Sequence, residues 1–479
     1  MKKETQFLLS TRSLSLFSVR AVHELVKAWN GIKQFTRSTL SSFTASPDPA
    51  ENEKEMKRLI QTCVASRSGE VTNRACAVEL GMAYLKLPSV GKARFLRLLA
   101  RDFDVDRPAL RDDISRYLSA SNDREAVTGE MSLSEALIPP RLRLLKLFKA
   151  LPAGFKFLID MRADLLALRE QDPYMEKLDR DLKDLLSSLF DVGLLDLREI
   201  TWNSPAALLE KLIEYEAVHE IKSWNDLKNR LDSDRRCYAF FHNKIPQEPL
   251  VFVEIALTRK IPDNIPTLLD PSAETVRPEE ADTAVFYSIS NTQKGLAGIH
   301  LGNFLIKQVV ETLGPEMKNL VNFVTLSPVP EFASWLTGRL DQGDLSMLER
   351  YEVDMVKTLS GMENAARGLR QLLEPGFHAD PELAEALKPI LLRLCGRFLL
   401  NEKKGKRILD PVAHFHFMNG ASLYRLNWLA DKSSRALSRS FGIMANYLYK
   451  PSDIEKNHEL YAAEGQPTVS REMRGALKK

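Results

Sequence analysis

The hydrophobic positions divide this chain into two halves of different period. From Met56 to about residue 195 they recur at helical spacing. Met56, Leu59, Ile60 and Cys63 share one face, and Phe95, Leu96, Leu98 and Leu99 continue the pattern. Leu142, Leu144, Leu145, Leu147 and Phe148 predict a helix after Pro139-Pro140, and Leu165, Leu166 and Leu168 another beyond Pro152-Ala-Gly154. No strand-like alternation interrupts them. This half predicts an all-α helical bundle whose apolar stripes are its core.

The second half changes character. Residues 237–241, 250–256, 284–290 and 320–325 are short runs rich in β-branched and aromatic side chains, which predicts four strands. Helical patterns occupy 206–215, 302–313 and 330–336. Strands first, then strand, helix and strand, predict a mixed sheet flanked by helices, so the class is α+β with two domains. Ser46-Pro-Asp-Pro-Ala-Glu marks a boundary, with Asp48-Pro49 placed to start a helix. The expected division is a basic N-terminal extension over 1–47, a helical domain over 48–195, a second domain over 196–455 and a C-terminal tail over 456–479. The charged segment Glu402-Lys-Lys-Gly-Lys-Arg407 reads as a solvated loop.

Composition narrows the classes. With 479 residues, 44% hydrophobic and 27% charged, the chain is long enough for two or three well-filled cores. A formal charge of +3 gives no electrostatic footprint for nucleic acid, and no apolar run approaches the length that spans a bilayer. Cys63, Cys76, Cys237 and Cys395 form no framework and read as free thiols of a reducing compartment. The first 45 residues are basic, serine-rich and poor in acid, as a mitochondrial transit peptide is, but a basic extension of a bacterial cytoplasmic protein is the preferred reading.

Three stretches could carry chemistry. The first is Asp410-Pro-Val-Ala-His-Phe-His-Phe-Met-Asn-Gly-Ala421, which gathers His414, His416, Asn419 and a turn-permitting glycine. Histidine exchanges protons near neutral pH, and asparagine can orient a carbonyl. His-x-His on a strand would share a face, as metal ligands do, but only Asp410 is near enough to join them, and a metal site is disfavoured. The second is Gln293-Lys-Gly-Leu-Ala-Gly-Ile-His-Leu-Gly-Asn303, a glycine-bearing loop after a strand and before a helix. Its Ala297, Gly298, Ile299, His300, Leu301, Gly302 and Asn303 could present backbone N–H groups to a phosphate. The spacing departs from GxGxxG. The third is Ser327-Pro328, just past the fourth strand, which by itself reads as a turn. There is no GxSxG, so an acyl-serine hydrolase is disfavoured.

These blocks also occur in a recognisable order. Phe286-Tyr-Ser-Ile-Ser290, Gly302-Asn-Phe-Leu-Ile-Lys307, Leu326-Ser-Pro-Val-Pro330, the His416 stretch, Leu426-Asn-Trp-Leu-Ala-Asp431 and Gly442-Ile-Met-Ala-Asn-Tyr447 together resemble the malonyl-CoA decarboxylase family over roughly residues 50–450. The resemblance implies an acetyltransferase-like (GNAT-type) second domain and a helical domain that supports a homo-oligomer, a tetramer being one such state. It implies His416 and Ser327 as catalytic residues, with Asn419 and the 297–303 loop on the acyl-CoA side. Some relatives carry glutamate at the position of His300, and His414 is not required by the motif. Tyr447 and Tyr449 lie in a family block, with packing as the alternative role.

The substrate so implied, malonyl-CoA, contains its own electron sink: loss of CO2 leaves an enolate spread over the thioester. No cofactor and no metal is therefore expected, and no nucleic-acid or membrane partner. His416 is expected as the proton donor and Ser327 in carboxylate handling. An acyl-CoA-dependent N-acyltransferase of the same fold and a non-enzymatic CoA-binding scaffold are the competing readings.

Overall fold

The structure is a computed structural model that describes residues 49–64, 70–168, 172–299, 301–471 and 473–474. The basic extension and its transit-peptide reading lie outside the described residues, as does His300. Two compact units emerge. One takes in the described residues up to Asp191 together with Gln293–Ile299. The other takes in Val192–Thr292 and the described residues beyond His300.

The first unit holds α1 (Pro49–Val64), α2 (Glu70–Lys86), α3 (Ser89–Asp102), α4 (Arg107–Leu118), α5 (Asp123–Ala136), α6 (Pro140–Leu147), α7 (Gly154–Ala167) and α8 (Pro173–Leu189). Most of the predicted stripe positions are its core: Met56, Leu59, Ile60, Phe95, Leu96, Leu98, Leu99, Leu144, Leu145, Phe148 and Leu165 are buried, while Leu142, Leu147 and Leu168 are half-buried and Leu166 is exposed. α8 shows how the sequence achieves this. Asp172 caps its N-terminus by accepting from the Tyr174 N–H, Pro173 occupies the first turn, and Met175, Leu178, Leu182, Leu185 and Leu186 fall on one buried face. α4 and α5 pair with each other, and α4 buries none of its side chains fully.

The cysteines depart from expectation. Cys63 and Cys76 are joined as a disulfide, while Cys237 and Cys395 are free and buried. Cys63 closes α1 and Cys76 lies in the second turn of α2, and the packing of these helices leaves the two Cα atoms 5.3 Å apart, within bridging range. A spacing of 13 residues says nothing of such a contact until both helices are placed.

The second unit runs β1 (Leu195–Ile200), α9 (Ala206–Tyr215), α10 (Trp224–Arg230), β2 (Arg235–His242), β3 (Val251–Thr258), α11 (Ile265–Leu268), β4 (Thr283–Asn291), α12 (Gly302–Glu316), β5 (Asn322–Thr325) and β6 (Ser327–Pro328). Next come α13 (Phe332–Asp341), α14 (Arg350–Ser360), α15 (Ala365–Leu372), α16 (Pro381–Asn401) and the pair β7 (Lys403–Lys404) and β8 (Arg407–Ile408). α17 (Pro411–Met418), β9 (Ser422–Asn427), α18 (Ser434–Ser440), β10 (Met444–Leu448), α19 (Ile454–Glu464) and β11 (Thr468–Val469) complete it.

The four predicted strands are β2 to β5. They belong to a mixed sheet of order β1-β2-β3-β4-β5-β10-β9-β11, with β6 on β10. β1 to β4 form an antiparallel meander, and β4 and β5 are parallel. The segment expected as a loop around Gly405 is the short hairpin β7–β8, and the segment expected as a tail contributes α19 and β11.

Two features of this sheet position the site. A bulge falls at Tyr287, where the β3–β4 register shifts between Glu254 and Ile255. β4 and β5 stay paired as far as Phe286 and Thr325, with one further bond from the Leu326 N–H to the Phe286 carbonyl. Beyond that step the chain leaves β4 and pairs instead with β10, Ser327 opposite Ala445. Ser327 therefore occupies the first place at which the two parallel strands part.

The disulfide offers a direct check. Closing a loop of this size stabilises a fold by about 3 kcal/mol, chiefly through the unfolded chain. Cys63→Ser, or the reduced protein, is expected to lose roughly that much in a urea titration of helical signal. An unchanged midpoint would show that the two thiols are not joined in solution.

Candidate active site

His416 is delivered by a short, firmly ended helix. The Asp410 carboxylate caps α17 by accepting from the N–H groups of Val412 and Ala413, at 3.0 and 2.8 Å, with Pro411 in the first turn. At the other end the Gly420 N–H donates to the Phe417 carbonyl and the Ala421 N–H to that of His416, the paired bonds of a helix stop. Gly420 has φ +78°, and a Cβ there would overlap the Ile454 carbonyl, so glycine is required by both backbone and space.

His-x-His lies on this helix and not on a strand, so the two rings diverge. His414 Nδ1 contacts the Tyr461 hydroxyl at 2.9 Å. His416 is 2% exposed, with Nε2 2.9 Å from Ser327 Oγ and Nδ1 2.8 Å from the Tyr449 hydroxyl. Its ring stacks on Tyr447, centroids 4.4 Å apart. The serine and the histidine are 89 positions apart in sequence.

Ser327 is itself held. Its hydroxyl donates to Thr325 Oγ1 at 2.9 Å, and that oxygen also accepts the Tyr447 N–H at 3.1 Å. With the serine proton so committed, Ser327 Oγ accepts from Nε2–H, and Nδ1 accepts the Tyr449 O–H. The polar chain Tyr449–His416–Ser327–Thr325 is then satisfied at every link. Burial pushes the imidazole down to about 3 and the Tyr449 and Tyr447 hydroxyls well above the usual phenol range. His416 is therefore a neutral imidazole at physiological pH.

The other predicted residues fall elsewhere. Asn419 follows α17, and its side-chain amide donates to the Phe415 carbonyl at 2.7 Å, which binds it to its own helix end. Ala297, Gly298 and Ile299 belong to the helical unit. There Arg162 of α7, 2% exposed, donates through Nη1 to the carbonyls of Gly295 and Ala297, both at 2.8 Å, while its Nε reaches Asp179 at 2.7 Å. Leu301, Gly302 and Asn303 belong to the sheet unit, where Gly302 opens α12. Thr325 and Tyr449 are the residues that sequence reasoning left without a role. Alternation could have found them: Thr325 and Ser327 are two apart at the ends of β5 and β6, and Tyr449, one residue past β10, is two from Tyr447, so each pair shares a face.

Comparison with known proteins agrees with this architecture. Residues 193–479 match the model for the malonyl-CoA decarboxylase C-terminal domain, and residues 103–190 that for the malonyl-CoA decarboxylase N-terminal domain. Mitochondrial malonyl-CoA decarboxylase of Rattus norvegicus is 39% identical over 386 residues, 77% of this chain and 78% of the rat protein. The mitochondrial enzyme of Anser anser anser is 37% identical over 390 residues, 77% of this chain and 76% of its own. Among solved structures, malonyl-CoA decarboxylase from Rhodopseudomonas palustris superposes with a TM-score of 0.80 at 40% identity, covering 88% of this chain and 99% of that one. The enzyme from Agrobacterium vitis gives 0.79 at 39%, covering 89% and 100%. The chain belongs to the malonyl-CoA decarboxylase family.

Proposed function

We infer that the protein decarboxylates malonyl-CoA to acetyl-CoA and CO2, and we propose His416 and Ser327 as the residues that carry the reaction. The observation that supports these roles is the 2.9 Å contact between Ser327 Oγ and His416 Nε2 at the parting of β4 and β5. A substrate carboxylate beside Ser327 replaces Thr325 as acceptor of the hydroxyl proton. The carbon–carboxylate bond then breaks with its electron pair passing into the thioester enolate. Nε2–H delivers the proton to the α-carbon.

The neutral state of His416 suits this task. An enolate carbon is a far stronger base than the anion of imidazole, so the transfer runs downhill without prior charging of the ring. Tyr449 keeps the proton on Nε2 by donating to Nδ1. Nε2 regains its proton from water once product leaves. The dry surroundings strengthen each of these bonds relative to water.

His416→Ala is expected to lower kcat by roughly a hundred- to ten-thousand-fold, the usual worth of a positioned acid, with CoA affinity largely kept. Near-normal CO2 release by that variant would remove His416 from the mechanism. Tyr449→Phe leaves Nδ1 buried without its donor, a loss of about 1–3 kcal/mol, and kcat/KM is expected to fall about ten- to a hundredfold.

The pH profile separates a neutral acid from a charged one. With its pKa depressed to about 3, His416 is deprotonated at every pH above about 5. A neutral donor then gives a kcat/KM that His416 leaves level between pH 5.5 and 8. An imidazolium donor would instead give a tenfold fall for each unit of rising pH across that range, and that outcome would overturn the neutral-acid assignment.

We also propose that the helical unit mediates homo-oligomerisation through α4 and α5. The paired helices leave Leu118 76%, Met131 64% and Val127 53% exposed, an apolar surface out of keeping with a free face. Leu118→Asp with Met131→Glu is expected to shift the mass measured by light scattering to that of a smaller species. An unchanged mass would place the contact elsewhere.

A further inference from the structure

One rung of the sheet beside Ser327 is made by side chains. β10 pairs with β5 at Leu448 and Val324 and with β6 at Ala445 and Ser327, a register that sets Tyr447 opposite Thr325. Tyr449 donates its N–H to the Phe323 carbonyl, so an unbroken antiparallel ladder would next carry the Tyr447 N–H to the Thr325 carbonyl. That N–H goes instead to Thr325 Oγ1 at 3.1 Å, the same oxygen that accepts the Ser327 hydroxyl. The Thr325 carbonyl accepts from the Asn446 side chain, whose Nδ2 lies 2.8 Å away.

Asn446 is fully buried, at the point where the β9–β10 register shifts. Its Oδ1 accepts from Arg425 Nε at 3.2 Å and from Asn427 Nδ2 at 2.8 Å. Its Nδ2 donates to the Pro262 carbonyl at 3.3 Å as well as to Thr325. A guanidinium can only donate and a peptide carbonyl can only accept, so the carboxamide has a single orientation, with both lone pairs and both hydrogens committed. A side chain so placed is a fixed post behind Thr325.

We propose that Asn446 is a positioning residue for the decarboxylation, acting through Thr325 on the Ser327–His416 pair. The proposal rests on the roles inferred above for those two residues. By taking the Thr325 carbonyl, Asn446 leaves the Tyr447 N–H to Oγ1. Oγ1 is then pinned by a backbone donor, and it aims the Ser327 hydroxyl away from Nε2, so that the serine oxygen faces the imidazole as an acceptor. Without the amide, the Tyr447 N–H returns to the carbonyl, Oγ1 loses the donor that fixes it, and the serine is free to turn. Small displacements of this kind matter in a site where one proton must be delivered to one carbon.

The test is a pair of variants and their combination in the full-length protein, by steady-state CO2 release from malonyl-CoA. Asn446→Asp keeps the shape and the acceptor oxygen and removes the donor. It is expected to lower kcat about tenfold with KM within twofold, because a residue buried behind the strand makes no contact with substrate. Thr325→Val removes Oγ1 and is expected to lower kcat by a similar factor, about tenfold. The double variant is expected to be no slower than the slower single one, since Asn446 acts only through Thr325. Independent losses of folded protein would instead multiply.

A multiplied loss in the double variant, a defect confined to KM, or normal kcat in Asn446→Asp beside an impaired Thr325→Val would overturn the proposal. Should Asn446→Asp fail to fold, Asn427→Ala takes its place: it removes one donor to the carboxamide and is expected to lower kcat about threefold, with no further fall when Thr325→Val is present. Failure of the underlying readings looks different. Wild-type protein that releases no CO2 would remove the decarboxylase reading, and normal kcat in Thr325→Val would remove the serine–histidine roles and this proposal with them.

Discussion

A buried imidazole must be neutral, and both of its nitrogens must find partners; that constraint governs the centre of this protein. His416 meets it with the Tyr449 hydroxyl on one nitrogen and Ser327 on the other. Ser327 is steadied in turn by Thr325, and Thr325 by a backbone N–H of β10. The geometry depends on strand register. Ser327 faces Ala445 across β6 and β10, which brings Tyr447 and Tyr449 onto the side of the ring. A slip of one residue would turn both tyrosines to the other face and leave Nδ1 of the histidine without its donor.

The helix that carries His416 is paid for by its own ends. Asp410 is fully buried, and burial pushes its carboxyl up to about 6 even though three backbone N–H groups favour the charged form. Such a cap is an expensive way to start eight residues of helix. It fixes where the helix begins, as Gly420 fixes where it ends, and His416 stands between with no freedom to shift along the axis.

How much of this was legible in the sequence varies with what each residue does. The helical half and β2 to β5 announced themselves because their buried faces are almost wholly apolar. β1 escaped because Asp196, Arg198 and Glu199 mark it as a charged edge. β9 and β10 escaped because their interiors are polar. Asn446 accepts from both Arg425 and Asn427, and gives its own amide to the Thr325 carbonyl, so a strand can bury such residues once its neighbours are in place. Ser327 and His416 stood in stretches that could carry chemistry, but their pairing and roles came only from the order of family blocks, since no local pattern links positions so far apart. Tyr449 was within reach of strand alternation, had β10 been recognised.

The Arg162 grip on the loop around Gly295 has a consequence for how the molecule comes into being. A helical unit begun in the first two hundred residues is not finished there. Its last piece, Gln293–Ile299, leaves the ribosome about a hundred residues later, after four strands of the other unit have already emerged. Arg162 must wait for carbonyls that do not yet exist. The two units are therefore interleaved in time as well as in sequence, and neither can be released as an intact piece by a single cut between them.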